Sequence, residues 1–289
     1  MTVSDRIFMT IVTGFLILFT ILIIYPLIFV LSASLSDPAA VLRGQMWLLP
    51  VGFNFNAYER VFANNEIIRS FMNSTLYTLA GTAISIALTT LAAYCLSRKD
   101  LPGRAFFTLF FTFTMFFSGG IIPSYLVIRS LGMFNTFWVM VIPGSVSVFN
   151  LLIMRTFMTS SIPEELFEAA YVDGCNNVRI MISVVLPLST AILAVMVLFY
   201  GVNHWNEFFK ALIYIRDRFR YPLQLILREI LLQTMADNMT ELETTASKVL
   251  MSEAIKYACC IVASAPLMII YPFLQKFFER GVMIGAVKG

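Results

Sequence analysis

SSIPEELFEAAYVDGCNNVRIMISVVLP, residues 160–187, is the longest interruption with clustered acidic residues in a chain otherwise made of apolar runs. Ser161 followed by Glu164 forms an S-x-x-E capping box, which predicts that a helix starts at Ser161. Pro163 then falls in the first turn, where its missing N–H costs no hydrogen bond. Glu164 and Glu165 lie at the positive end of the helix dipole, so their charges favour a helix that begins here.

A second short helix is predicted in the same stretch. The first helix has one face with the spacing i, i+3, i+4 and i+7, formed by Phe167, Ala170, Tyr171 and Gly174. Gly174 can end that helix because glycine accepts the left-handed conformation. Asn176 and Asn177 can then cap a second helix, which runs into the apolar segment after Pro187. The stretch is therefore interpreted as two short helices at a sharp turn, lying against the end of a membrane span.

The composition is that of an integral membrane protein. The 289 residues are 59% hydrophobic and 13% charged, whereas a soluble domain carries about 25% charged residues; the mean hydropathy is +0.82. Apolar segments long enough to cross a bilayer, which takes about 20 residues, occur at 7–31, 71–97, 105–129, 135–158, 184–207 and 254–277. Lipid offers backbone groups no hydrogen-bond partners, so an all-α membrane protein with six transmembrane helices is predicted.

The orientation of the spans rests on one short loop. Residues 98–104 contain three basic side chains, Arg98, Lys99 and Arg104, whereas Arg129 alone follows the third span. The positive-inside rule places this loop in the cytoplasm, together with both termini and residues 160–183. Residues 7–31 form an uncharged run too long for a signal-peptide core of ~7–15 residues, so the first span is predicted to be a retained anchor.

Several classes of function and site are not expected. The net charge of +3 and the lack of a basic run argue against nucleic-acid binding. Of the four cysteines, Cys259 and Cys260 are adjacent and cannot pair sensibly, so neither a disulfide nor a metal site is predicted. The chain has no G-x-x-x-x-G-K-[ST] phosphate loop, so any ATP and Mg would be bound by other subunits.

Two motifs carry a resemblance to a known family. Glu168-Ala169-Ala170, three residues, Gly174, nine residues and then Val184-x-Leu186-Pro187 resembles the EAA loop of ABC importer permeases, in which Ile is favoured at the position of Val184. The ending Gly281-x-x-x-Gly285-x-Val287-Lys288-Gly289 resembles the C-terminus of the maltose-type inner permease. Further runs resemble the branch that imports oligosaccharides of plant or algal polysaccharides: 116–120, 149–155, 204–206 and 221–224.

The resemblance implies a fold, partners and a mechanism. It implies the type I ABC importer permease fold in the cytoplasmic membrane, with membrane lipid around it and a second, non-identical permease beside it. Two cytoplasmic ATPase subunits and an extracytoplasmic solute-binding protein complete the expected complex, and an oligosaccharide would cross by alternating access. The expected organisation is a first helix and outer loop (1–70), a permease core with the coupling loop at 160–187 (71–278) and a cytoplasmic tail (279–289).

Two groups of candidate site residues follow. The residues expected to couple the permease to the ATPases are Glu164, Glu165, Glu168, Ala169, Ala170, Asp173, Gly174 and, in the tail, Lys288. The candidates for the substrate path are Asn150, Asn203, His204, Trp205 and Asn206. Amides and an aromatic ring suit a sugar, because the ring stacks on its apolar face and the amides bind its hydroxyl groups; interfacial anchoring is the alternative for Trp205.

Other features leave alternatives open. A stripe of small and hydroxylated residues is interpreted as helix packing, with a sugar path as the alternative: Ser74, Thr78, Gly81, Thr82, Ser85 and Thr89. Breaks are expected in the third span at Ser118-Gly119-Gly120 and Pro123, and in the fourth at Pro143-Gly144, as part of the pathway or as plain kinks. The segment from Trp47 to Tyr58 resembles a carbohydrate-permease motif and also fits an interfacial aromatic belt.

The basic residues after the fifth span suggest the charge of the solute. Lys210, Arg216, Arg218 and Arg220 are accompanied only by Glu207 and Asp217. They could attract an acidic oligosaccharide, of the alginate- or pectin-derived kind, or they could dock the binding protein or flank the membrane. A membrane-embedded transferase and an ion-coupled carrier are the alternatives from other classes, although the spans contain almost no ionisable residues.

Overall fold

The computed structural model describes residues 3–239, 255–273 and 275, and these ranges contain helices and turns but no strand. The helices are α1 Val3–Ser34, α2 Pro38–Leu42, α3 Asn56–Ala63, α4 Asn65–Ser97, α5 Arg104–Phe116, α6 Ile121–Ser130, α7 Trp138–Val141, α8 Val148–Ser161, α9 Glu164–Val172, α10 Asn177–Ile180, α11 Leu186–Leu188, α12 Thr190–Trp205, α13 Phe209–Tyr214, α14 Leu223–Met239 and α15 Ile255–Phe273. A π-helical turn, Met181–Val185, joins α10 to α11, and a 3₁₀ turn, Arg218–Arg220, precedes α14. The all-α membrane fold predicted from the composition is confirmed.

Within the described ranges, only three of the apolar segments are single helices long enough to cross a membrane: α1, α4 and α15. Two more segments are bent pairs, α5 with α6 at 115° and Asn177–Leu188 with α12 at 83°, which brings the number of candidate spans to five. The segment predicted as the fourth span, 135–158, is not one helix but the four-residue α7 and the fourteen-residue α8. Pro143 lies between α7 and α8, and a proline lacks the N–H that a continuous helix needs.

The breaks expected at Gly119-Gly120 and Pro143-Gly144 are present. The chain leaves the helical conformation from Phe117 to Gly120, where the 115° bend between α5 and α6 lies. Glycine favours helix less than most residues, and two of them in succession favour a break. The third, fourth and fifth predicted spans are therefore apolar, as expected, but none of them is one continuous helix.

The described residues fall into two compact units, 3–69 with 226–239 and 255–266, and 70–225 with 267–273 and 275. In the first unit, residues 35–58 fold back on the end of α1. The Ser32 hydroxyl donates to the Leu48 carbonyl oxygen at 2.6 Å, and the Ser34 and Tyr58 hydroxyls lie 2.7 Å apart. Trp47 stays 77% exposed, in agreement with either sequence interpretation of that segment. The predicted division at residues 70 and 278 stays a prediction.

The second unit is built around α4. One core of buried side chains joins the C-terminal half of α4 to α8, α9, α10 and α12: Ala93, Tyr94, Leu96, Leu151, Met154, Met158, Ile162, Phe167, Ala170, Ile180, Val185, Ile192, Met196 and Tyr200. A second core joins the other half of α4 to α7 and α13. Both ends of α4 therefore contact the parts of the chain in which the sequence analysis located candidate sites.

The small-residue stripe of α4 is a packing surface, as predicted. Ser85 and Thr89 are buried, and the Thr89 hydroxyl lies 2.6 Å from the Tyr200 hydroxyl on α12. Ser74 Oγ accepts the backbone N–H of Leu223 at 2.8 Å. Small side chains let helices approach closely and hydrogen-bond to one another, so the stripe is used in helix contacts.

Candidate coupling site and substrate path

The first helix of the coupling loop begins later than predicted. Ser161 is the last residue of α8, and α9 begins at Glu164 with Pro163 at its N-cap and no side-chain cap. The predicted capping box is therefore wrong. A proline disfavours the helical conformation of the residue before it, and Ile162 is extended, with φ −109° and ψ 109°. An extended Ile162 separates Ser161 from the N–H groups that it was expected to cap.

The end of α9 has the geometry that the sequence predicted. Gly174 has φ +74°, and its N–H donates to the Tyr171 carbonyl at 3.0 Å, while the Cys175 N–H donates to the Ala170 carbonyl at 2.9 Å. This pair of bonds is a Schellman motif, which satisfies helix carbonyls that have no partner within the helix. The sharp turn between the two helices of the loop is thus formed at Gly174.

The second helix of the loop is capped by Asn176, as predicted, because its side chain accepts the Arg179 N–H at 2.8 Å. The helix continues through the π-helical turn to Leu188, and the chain bends by 83° before α12 begins at Thr190. Pro187 has no N–H for the carbonyl four residues earlier, which explains the irregular hydrogen bonding there. The fifth span, predicted to start at residue 184, therefore has its straight part from Thr190.

Helix α9 has an inward and an outward face. Phe167 and Ala170 are buried in the core shared with α4 and α8. The other predicted coupling residues of the loop are exposed: Glu164, Glu165, Glu168, Ala169, Asp173 and Gly174. Ala170 thus belongs to the packing side of the motif. The exposed face is therefore acidic, and whether these residues couple to an ATPase stays a prediction; Lys288 lies outside the described residues.

Arg98 holds this helix in place, and the sequence analysis did not find that role. Its guanidinium lies 4.3 Å from the centre of the Phe167 ring and 5.5 Å from that of Tyr171. It also donates to the Tyr171 hydroxyl at 3.0 Å and binds both carboxylate oxygens of Asp100 at 3.0 and 3.1 Å. The i, i+4 spacing of the two aromatic residues was a usable signal for a stacked cation, but nothing in the sequence indicated which cation.

The charges of this loop are paired. The Arg98 guanidinium donates to Asp100 and so holds the pKa of that carboxyl below its usual value. Burial lowers the pKa of Arg98, but the hydrogen bond and charge of Asp100 outweigh that effect, so the net shift is upward. Lys99 forms an ion pair with Glu164 at the start of α9. Residues 97–100, 158–160 and 162–165, together with Phe167, line a cavity of about 340 Å³ beside this pair.

The substrate-path candidates divide into two sets. His204 and Trp205 are buried: His204 Nε2 lies 3.3 Å from Ser85 Oγ, and the Trp205 ring meets Phe71 edge-on at 5.5 Å between centres. Asn203 and Asn206 are exposed at the end of α12. In this conformation the two asparagines are exposed, whereas His204 and Trp205 lie in helix contacts; a contact of any of the four with a solute stays a prediction. Interfacial anchoring does not describe the buried Trp205.

The fifth candidate, Asn150, lies in the first turn of α8 and is also buried. Its backbone N–H donates to the Ser147 hydroxyl, which caps the helix. This position immediately follows the break around Pro143 and Gly144. Asn150 therefore lies at a buried helix start, and its side chain is not exposed in this conformation.

The basic cluster is partly neutralised by its own neighbours. Lys210 Nζ lies 3.2 Å from Glu207 Oε2, and Arg220 Nε lies 3.5 Å from Asp217 Oδ2. The Arg216 guanidinium lies 5.1 Å from the centre of the Phe134 ring. Asn135 accepts the backbone N–H groups of residues 216 and 217, both at 3.0 Å. The segment is thus held against Phe134 and Asn135, and several of its charges already have partners within this chain.

These features define a class of protein. The described chain is all-helical, with bent candidate spans, and a pair of short helices with an exposed acidic face precedes the fifth span. This arrangement is that of the permease subunits of transporters. The chain belongs to the family of binding-protein-dependent transport system inner membrane components, which matches residues 85–284. It is a transport subunit of the ABC permease kind and not an enzyme. The family assignment decides against the membrane transferase and the ion-coupled carrier.

Individual relatives match along nearly the whole chain. The polygalacturonan/rhamnogalacturonan transport system permease protein YtcP of Bacillus subtilis (strain 168) is 38% identical over 99% of this chain and 100% of its own. Protein LplC of the same organism is 37% identical over 92% of this chain and 90% of its own. A chain in the crystal structure of a bacterial ABC transporter involved in the import of the acidic polysaccharide alginate superposes with a TM-score of 0.86. It is 32% identical, and the match covers 96% of this chain and 99% of that one.

Proposed function

We propose that this chain is one of two non-identical permease subunits of an ABC importer that moves acidic oligosaccharides, derived from pectin- or alginate-like polysaccharides, across the cytoplasmic membrane. The observation that carries the proposal is the match along 96% of the chain to the alginate importer. The name of the relative YtcP points to the same chemistry, since polygalacturonan is a polyuronate. Both similarities cover nearly the whole length of the chain. They therefore support the substrate class as well as the fold.

In this proposal the exposed acidic face of α9 meets an ATPase. Both termini and the coupling loop lie in the cytoplasm, where two ATPase subunits bind ATP and Mg, and an extracytoplasmic binding protein delivers the solute on the other side. Closure of the ATPases moves α9, and the helices that pack against it turn that motion into outward opening. Glu168 and Asp173 are both exposed, so they are available to basic groups of an ATPase; Lys288 would act from the tail.

A transport assay tests the substrate class. The complex, reconstituted in liposomes with its cognate binding protein, is expected to hydrolyse ATP faster with uronate oligosaccharides than with neutral ones of the same length. Arg216 and Arg218 are expected to speed uptake by attracting the anionic oligosaccharide. This attraction acts over the screening length of ~8 Å at physiological salt. The double variant Arg216→Gln with Arg218→Gln is therefore expected to lower uronate uptake.

The control for that assay is docking of the binding protein, measured with the same double variant. Unchanged docking together with reduced uronate uptake supports the acidic-solute proposal. Equal stimulation of ATP hydrolysis by a neutral maltodextrin rules it out, and reduced docking assigns the two arginines to the binding protein. The matched variant Arg129→Gln, outside this cluster, is expected to leave both quantities unchanged.

The C-terminal tail gives a second test of the proposed assembly. Deleting residues 281–289 is expected to lower ATP hydrolysis that depends on the loaded binding protein, because the ending resembles a tail that reaches between two ATPase subunits. The affinity of the binding protein for the sugar is the control, since that site is on another protein. Normal turnover by the truncated complex would assign the tail no part in coupling.

A further inference from the structure

The C-terminal end of α4 is fastened to the coupling loop at two places and to α8 at a third. Arg98, one residue after α4, stacks on Phe167 and Tyr171 of α9. The Tyr94 hydroxyl of α4 donates to the carbonyl oxygen of Asn177 in α10 at 3.3 Å. The Arg155 side chain of α8 donates to the Leu96 carbonyl at 3.1 Å. One helix of the membrane core thus contacts both helices of the loop and the helix that precedes it.

We propose that Arg98 is a positioning residue for energy coupling: it makes α4 follow the movement of α9, so that α4 is a second route, beside α12, from the ATPases to the translocation path. This inference rests on the proposed function of α9 as the helix that meets an ATPase. It goes beyond that function because it assigns a transmission role to a residue and a span outside the EAA loop.

The contacts of Arg98 suit such a joint. Its side chain is only 15% exposed, and the bidentate bond with Asp100 fixes the plane of the guanidinium. With the plane fixed, the flat face of the guanidinium lies over the Phe167 ring, and one of its N–H groups donates to the Tyr171 hydroxyl. A lysine can supply the charge but not the planar fork. The joint is therefore specific to arginine in geometry, and not only in charge.

The neighbouring ion pair does not provide the same connection. Lys99 and Glu164 also join this loop to α9, but their side chains are 68% and 54% exposed. Water screens such a pair, and exposed ion pairs contribute little to holding two elements together. Lys99 is therefore a matched control: it is adjacent in sequence, carries the same charge and reaches the same helix.

Nearer its middle, α4 contacts α12. Ser85 and Thr89 of α4 lie against His204 and Tyr200 of α12. A displacement of the Arg98 end of α4 therefore reaches the end of α12 at which the exposed asparagines lie. The coupling helix is connected to that end by two chains of contacts, one through α10–α12 and one through Arg98 and α4.

The test compares Arg98→Gln with Lys99→Gln in the full complex in liposomes, with the cognate binding protein and a uronate oligosaccharide. The measured quantity is solute imported per ATP hydrolysed. Arg98→Gln is expected to lower this ratio at least about fivefold, the low end of usual coupling between sites, and Lys99→Gln is expected to leave it unchanged. Arg98→Lys should recover part of the ratio, because an ammonium can still lie over an aromatic ring.

A second variant keeps the test decisive if Arg98→Gln fails to assemble. Tyr171→Phe keeps the ring and removes the hydroxyl that Arg98 binds, which also donates to Asn177 Oδ1 at 2.6 Å. Asn177→Ala, which removes only that second partner, is its control and is expected to keep the wild-type ratio. Since Tyr171 is 42% exposed, its change to phenylalanine should not prevent folding. It is expected to lower the ratio less than Arg98→Gln does. Wild-type ratios in both Arg98→Gln and Tyr171→Phe, or in Tyr171→Phe alone when the other variant does not assemble, would overturn the inference. A wild-type complex that shows no solute-dependent ATP hydrolysis would instead refute the proposed function.

Discussion

Replacing Gly174 by valine is expected to abolish solute-stimulated ATP hydrolysis while the permease still assembles in the membrane. Gly174 has φ +74°, a conformation that costs an L-residue ~1–2 kcal/mol and that β-branched residues adopt least readily. No atom lies within 4 Å of the position that a Cβ would take. The expected defect is therefore one of backbone conformation, since it involves no steric clash with the core.

The strain at Gly174 would be relieved by moving the turn. A turn that leaves the left-handed region loses the two hydrogen bonds of the Schellman motif and changes the angle between α9 and α10. The exposed acidic face of α9 would then be presented differently to an ATPase, although Phe167 and Ala170 could stay buried. Coupling is thus more sensitive than assembly to this substitution.

The control for this prediction is Gly174→Asn, because asparagine tolerates the left-handed conformation better than other L-residues. Amounts of assembled complex in the membrane are compared first, and ATP hydrolysis with the loaded binding protein is then measured for wild type and both variants. Asparagine is expected to retain most of the stimulation that valine loses. Full stimulation in Gly174→Val would remove the turn from the coupling mechanism.

The sequence was most informative where one residue decides the local conformation. Gly174 and Asn176 were predicted to form the turn of the coupling loop, and both do so through backbone geometry that few other residues allow. Composition alone was sufficient for the all-α membrane class. The family was predicted from the spacing of Glu168, Gly174 and Pro187. That spacing is informative because the lengths of the two short helices of the loop set it.

The errors in helix boundaries come from local signals that outweigh the pattern on which each prediction was based. The capping box at Ser161 was a local pattern, and it failed because the proline two residues later sets the conformation of Ile162. The apolar run at 135–158 carried enough hydropathy for a span, but hydropathy does not report a chain break. The bend between α11 and α12 was missed for the same reason.

Long-range contacts were the least predictable. Arg98 was interpreted only as a topology signal, since its partners Phe167 and Tyr171 lie about seventy positions away in the chain. His204 and Trp205 were taken as path candidates from their chemistry, and their burial depends on the close approach of α4. No pattern within either helix indicates that Gly81 and His204 meet.

Replacing Gly81 by alanine is expected to lower the stability of the permease markedly, because Gly81 faces the ring of His204. A Cβ at Gly81 would lie 2.5 Å from His204 Cε1 and 2.7 Å from each ring nitrogen. His204 is 5% exposed, so its ring has little room to turn away. Overpacking of this kind costs ~1–3 kcal/mol; here it would also separate α4 from α12. The thermal unfolding midpoint of the purified complex measures the loss.

Gly201→Ala is the matched control, since Gly201 lies on α12 in the same interface and its nearest contact for a Cβ is Thr82 Oγ1 at 3.9 Å, an ordinary distance. That variant should unfold near the wild-type midpoint. Adding His204→Ala to Gly81→Ala should restore part of the midpoint, because the second change removes the ring that the methyl group meets. A wild-type midpoint for Gly81→Ala alone, or no recovery in the double variant, would contradict a packed Gly81–His204 contact. In that case the ring is free to move, and His204 returns to the set of side chains that a translocated sugar can meet.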